Sequence, residues 1–152
     1  MNNFEIHNII FCEQARPEVG GRYTLLGATA PELNVDIPIY DPSAGPPQRP
    51  ILPISLFITG RAVEKGSFGF ELRVNNPDGE KVSGAKLSGD FPLIGVSSIG
   101  FGPLPIPVTG AGDYVFEWNF GNDEWKHIAS LKLNLIPSKI ENAAILIETK
   151  TP

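Results

Sequence analysis

The chain of 152 residues contains a single cysteine, Cys12, so no disulfide can close within it. It has two histidines, His7 and His127, and with one thiol these fall short of any Cys/His spacing that holds zinc. No metal and no cofactor are therefore expected. Basic residues are scarce: 12 Lys and Arg against 17 Asp and Glu, a net charge of -5. Nucleic-acid affinity rests on Lys and Arg neutralising phosphates, and attraction to anionic lipid rests on the same charges. Neither partner is expected. No stretch approaches the roughly 20 apolar residues of a membrane helix. Met1 to His7 has no basic segment followed by a long apolar run, so a signal peptide is not expected and a cytoplasmic location is. No period of 20–50 residues is evident, so a solenoid or propeller is not expected.

What the chain has in excess is punctuation. Gly 16 and Pro 15 make up about a fifth of it and recur every few positions, leaving little room for a long helix. Hydrophobic residues are 41% and charged residues 19%, a globular balance. Between the breaks the period is two. Phe68, Phe70, Leu72 and Val74 alternate with Gly69, Glu71, Arg73 and Asn75, then run into Asn76-Pro77-Asp78-Gly79, a hairpin turn, with a return strand over 80–87. Tyr114, Phe116, Trp118 and Phe120 share a face opposite Val115, Glu117 and Asn119. A turn at 121–124 then leads to a strand carrying Ala129, Leu131, Leu133 and Leu135 on one side. Trp125 is expected to pack across this hairpin on Trp118.

Further strands are expected over 4–13, 22–27 and 54–59, with a turn over 16–21. Seven prolines, Pro31, Pro38, Pro42, Pro46, Pro47, Pro50 and Pro53, make 41–50 a stiff extended loop and confine any strand near Pro38 to an edge. Pro103, Pro105 and Pro107 likewise require an edge or a crossing segment. In the tail, Ser138 and Glu141 have capping-box spacing, while Ile145, Ile147 and Thr149 favour a strand, so short helix, strand and disorder all stay open. The expectation is one all-β domain over 1–137, an antiparallel sandwich of about seven to nine strands, with 138–152 as a C-terminal extension.

The order of these segments resembles an uncharacterised family of small bacterial β-sandwich proteins, a domain of unknown function. The resemblance is carried by Phe11-Cys12-Glu13 closing the first strand, the Gly21 to Gly27 strand, Pro38, the Leu/Ile-rich strand near 52–59, and Gly66 ahead of Asn76-Pro77-Asp78-Gly79. Gly112-x-Tyr114-x-Phe116 and Leu131-x-Leu133-x-Leu135 complete it. It spans roughly 4–136; the loop at 41–50 and the tail after 137 depart from it. It implies a compact bacterial β-sandwich and supplies no activity, cofactor or catalytic residue.

No Gly-x-Ser-x-Gly elbow accompanies His7 or His127, so both read as ordinary sheet histidines rather than bases. Cys12, between Phe11 and Glu13, has no cationic neighbour to lower its pKa and reads as a small core residue. Asp36 with Asp41, and Asp123 with Glu124, fall in loops where acidic residues serve turns, and they lack the density of a calcium loop. Gly100-x-Gly102 and Gly110-x-Gly112 open no helix and so cradle no phosphate. The expectation is a non-enzymatic binding or assembly module that meets a protein, a second copy included, through sheet edges or loops. The alternative is a β-sandwich that binds a carbohydrate or other small ligand, with or without calcium. Trp125, Tyr40 and Arg49 are the candidate ligand or partner contacts.

Overall fold

The computed structural model describes residues 4–39, 41–46, 49–121 and 124–138. Ten strands follow in order: β1 Phe4–Cys12, β2 Gln14–Pro17, β3 Tyr23–Leu26, β4 Glu32–Pro38, β5 Ile51–Ala62, β6 Gly66–Asn75, β7 Lys81–Phe91, β8 Gly95–Pro107, β9 Gly112–Asn119 and β10 Lys126–Ser138. They form a three-stranded sheet β1-β5-β8, a five-stranded sheet β4-β10-β9-β6-β7, and the small hairpin β2-β3. The chain is all-β and sandwich-like, as its periodicity requires. Among the described residues no helix is long and apolar enough to cross a membrane.

Four details differ from the sequence expectation. Among the described residues the strands number ten, not seven to nine, because the first one breaks after Cys12 and the expected turn at Arg16-Pro17 is itself a strand, β2. The sheets are not wholly antiparallel: β4 runs parallel to β10, from Glu32 against Lys132 to Pro38 against Ser138. The segment at 41–50 is not simply extended. Asp41 accepts hydrogen bonds from the Ser43 amide (2.8 Å) and hydroxyl (2.7 Å), capping a 3-10 turn at Pro42–Ala44. Trp125 does not pair with Trp118, whose register partner is Lys126. The tail residues 139–152, Tyr40, Asn122 and Asp123 lie outside the described residues.

The edge prolines sit where a missing N–H is tolerated. Pro38 ends the edge strand β4, and Pro103, Pro105 and Pro107 lie on the edge strand β8. Pro53 lies on the central strand β5, but β1 pairs with β5 only as far as Ser55, so at Pro53 that side of β5 has no neighbour in the sheet.

The core lies between the two larger sheets. The inward residues of β6, β9 and β10 are Phe70, Leu72, Val74, Tyr114, Phe116, Trp118, Leu131 and Leu133, all buried; they meet Leu56, Ile58, Ile99, Phe101 and Ile106 from the other sheet. Each such side chain contributes about 1.5–3 kcal/mol on burial. Aromatic contacts join the layers: Phe11 to Phe116 (5.1 Å), Phe101 to Phe70 (5.3 Å) and Phe4 to Phe91 (5.4 Å) between ring centroids. Gly60 permits one of these contacts. A Cβ there would lie 2.2 Å from the Glu5 carbonyl oxygen and 2.6 Å from the Phe4 ring, so Phe4 crosses β5 only over a glycine.

Two buried polar groups fix the turns at the base of the five-stranded sheet. The Asn76 carbonyl of the side chain accepts from the amides of Asp78 (3.1 Å) and Glu80 (2.8 Å), and its amide group donates to Thr109 Oγ1 (3.1 Å). The Tyr114 hydroxyl accepts from the Thr109 amide (2.8 Å) and donates to the Gly110 carbonyl (3.1 Å). A tyrosine bonded back to backbone a few residues upstream is the corner found in Greek-key sandwiches.

Candidate functional site

The alternation that buries Leu72 and Val74 sends Glu71, Arg73 and Asn75 to the outer face of the five-stranded sheet. Register then sets their neighbours. Arg73 pairs with Glu117, Asn75 with Val115, and Glu71 with Asn119 on β9 and with Lys86 on β7. Arg73 Nε donates to Glu117 Oε2 at 2.7 Å, and Asn75 Nδ2 donates to the same oxygen at 2.7 Å. The pair is half-buried, 31% and 18% exposed in the side chains, so solvent screens it less than a fully exposed pair.

Trp125 enters this network from the loop ahead of β10. The Arg73 Cζ lies 4.2 Å from the centre of the Trp125 ring, within cation–π range. Arg73 is thus gripped by a carboxylate and an aromatic face, and Trp125, half-buried, is fixed against the outer surface. A fixed indole beside a fixed guanidinium and a carboxylate offers apolar area, donors and an acceptor with little rotamer freedom left to lose.

Next to this patch a shallow depression of about 390 Å³ is lined on the outer face by Gly69, Glu71, Lys86, Ser88, Asn119 and Gly121. The Lys86 ammonium bonded to Glu71 holds that carboxyl below the usual glutamate range. On β4 and β10, Asn134 Nδ2 donates to Glu32 (2.8 Å) and Asn34 (3.2 Å), and Lys132 lies 3.4 Å from Glu32. These contacts, the Asn134 hydrogen bond foremost, lower the Glu32 pKa.

The sheet edges offer less. β4 carries Glu32, Asp36 and Pro38; β7 carries Lys81, Lys86 and Asp90; β8 carries its three prolines. β1 is interrupted by a bulge at His7, and its Phe11 carbonyl accepts from the Thr29 amide at 2.9 Å. Charge, proline and bulge are the devices that discourage strand addition.

Of the three expected contacts, the structure describes two and does not unite them. Trp125 stands at the end of the sandwich where β10 begins. Arg49 is exposed just ahead of Ile51, which pairs with Pro107 near the start of β9, at the opposite end. Tyr40 is not among the described residues. Arg73, Asn75 and Glu117 carry no local sequence signal of a site; the period of two puts them on the polar face, but only the adjacency of β6 and β9 joins them.

The other reactive residues are placed as follows. Cys12 is fully buried, its sulfur 3.8 Å from the Ser55 carbonyl oxygen, and burial pushes the thiol pKa up. His7 is exposed. His127, also exposed, has its Nε2 at 2.9 Å from Ser130 Oγ on an open sheet face. Among the described residues no group of three or more His, Cys, Asp or Glu could hold a metal ion.

No family model matches the chain, and no curated protein matches it. Among solved structures it is similar to the C-terminal domain of wzt, with 12% sequence identity over 94% of this chain and 83% of that one and a TM-score of 0.48. The functional reading therefore rests on the chain's own residues.

Proposed function

We propose that this chain is a non-enzymatic binding module that meets a protein surface, its own second copy included, through loop-borne Trp125 and the outer face of the five-stranded sheet. One observation carries this: Arg73 is held at once over the Trp125 ring and on Glu117, with Asn75 on the same carboxylate. Trp and Arg are the side chains that most often dominate protein interfaces, and they do so where they are already ordered. The guarded edges shift the contact surface from strand addition to this face and its loop. The likeness to the uncharacterised bacterial β-sandwich family is part of the proposal and adds no site to it.

Light scattering over a wide concentration range, on wild type and Trp125→Ala, tests the second-copy form. Association lost in the variant, with the melting temperature kept, supports it. Association unchanged by the variant contradicts the assigned face. A monomer throughout leaves a different protein as the partner, which affinity capture then tests.

A further inference from the structure

Glycine weakens the interior of a strand, because it gives the unfolded chain extra freedom and brings no side chain to pack. Gly60, Gly69, Gly84, Gly89 and Gly100 lie inside strands without a positive φ. Close neighbours require glycine at all of these but one. A Cβ would lie 2.6 Å from the Phe4 ring on Gly60, 2.9 Å from the Phe68 ring on Gly89 and 2.8 Å from the Tyr23 ring on Gly100. On Gly84 it would lie 2.6 Å from the Leu72 carbonyl oxygen. Gly69 differs. A Cβ there would meet only the Leu87 carbonyl oxygen, at an ordinary 3.9 Å. Gly69 is exposed, and the chain's own packing does not require a glycine at this position. A bare strand glycine often marks the place where another molecule approaches the backbone.

Gly69 also sits inside the contact face. It is in register with Ser88, and Glu71 is in register with both Lys86 and Asn119, so these side chains share the outer face of the sheet. With Gly121 they line the depression of about 390 Å³ beside Arg73 and Trp125. The charges next to it are already paired, Lys86 with Glu71 and Arg73 with Glu117. An uncharged occupant leaves both pairs intact, whereas a charged one has to compete for one of them. Elsewhere in the molecule a flat ring covers the strand glycine: Phe4 at Gly60, Phe68 at Gly89 and Tyr23 at Gly100. Rings laid over glycine shield exposed strand backbone generally.

We infer that Gly69 is the seat for an uncharged aromatic side chain, Phe, Tyr or Trp, of the protein that meets the Trp125 face. The ring lies over the Gly69 backbone, in the space where this strand leaves out a side chain. Aromatic anchors in such depressions carry much of the energy of protein contacts. Among the described residues every aromatic side chain is buried or half-buried, so the ring is assigned to a different protein rather than a second copy. The inference rests on the contact face proposed above and names what the partner brings to it.

The test is an amide and α-proton chemical-shift titration of the full chain with N-acetyl-tryptophanamide, N-acetyl-tyrosinamide and N-acetyl-phenylalaninamide, with N-acetyl-leucinamide as the control. A ring over Gly69 moves its α-protons upfield. Saturable upfield shifts at Gly69 are expected from at least one aromatic amide and not from the leucine amide. Gly69→Val places a β-branched side chain, which strands favour, in the depression. It should keep the melting temperature and lose the titration; if it does not fold, Gly69→Ala takes its place. No saturable shift at Gly69 with any aromatic amide, equal shifts with the leucine amide, or an unchanged titration in the folded variant would overturn the inference. Partner capture lost in Trp125→Ala beside an unshifted Gly69 overturns the seat and keeps the contact face. Capture unchanged in both Trp125→Ala and Gly69→Val overturns the two together. Self-association that Gly69→Val abolishes would assign the ring to a second copy and overturn the choice of partner.

Discussion

Arg73 sits with its guanidinium carbon 4.2 Å above the centre of the Trp125 ring, while its Nε is bonded to Glu117 on the neighbouring strand. Three residues from β6, β9 and the loop before β10 are thereby locked into one surface element. The lock has a measurable energy. Glu117→Ala should destabilise the fold by about 1–2 kcal/mol, because it strips both Arg73 and Asn75 of their acceptor. A double-mutant cycle of Arg73→Ala and Trp125→Ala should give a coupling of about 0.5–1 kcal/mol by urea denaturation. A coupling of zero would mean that the stacking does not persist in solution.

The turn residues are more demanding than the surface. Tyr114→Phe removes one hydroxyl and leaves the Thr109 amide and Gly110 carbonyl without it, at a cost of about 1–3 kcal/mol. Asn76→Ala should cost at least as much, since one buried side chain serves the Asp78 and Glu80 amides and Thr109. Equilibrium unfolding with an unchanged slope against denaturant would isolate the stability change. A neutral effect for either would contradict the assigned turn geometry.

Gly60→Ala tests the packing of β1 on β5. The added methyl would meet the Glu5 carbonyl and the Phe4 ring, so the strands must separate or Phe4 must leave the core. Overpacking of this kind costs about 1–3 kcal/mol. Thermal unfolding should show the loss, whereas Gly79→Ala, where a Cβ meets nothing, should show only the smaller strain of a left-handed backbone. Equal tolerance at both sites would contradict the contact.

Stability should fall in acid. Glu71, Glu32 and Asp41 are held below the usual carboxylate range by Lys86, by Asn134 with Lys132, and by Ser43. A group with a lowered folded-state pKa contributes stability above its unfolded pKa and loses it as pH falls through the folded one. The melting temperature should therefore be flat from neutral pH to roughly pH 5 and decline below about pH 4. Glu71→Gln should shallow that decline. A melting temperature constant down to pH 3 would contradict these pairings.

Much of the fold was legible because burial is periodic. The run from Phe68 to Val74 and the run from Tyr114 to Trp118 name their own core faces, and Asn76-Pro77-Asp78-Gly79 names its turn. What the residues could not convey was adjacency. Nothing local says that β9 pairs with β6, so the meeting of Arg73 with Glu117 was invisible, as was the parallel pairing of β4 with β10. Trp125 was legible as an unusual residue, but its assignment to Trp118 failed. Lys126 takes the place opposite Trp118 in the register, and Trp125 lies on the other face with Arg73.

The most direct test of the binding face is quantitative affinity capture from native extract with wild type, Trp125→Ala and Arg49→Ala, each first shown to melt alike. The account predicts that a protein retained by wild type, whether another chain or a second copy, is lost with Trp125→Ala and kept with Arg49→Ala. The same retained set with all three proteins, or nothing retained by wild type, would contradict it.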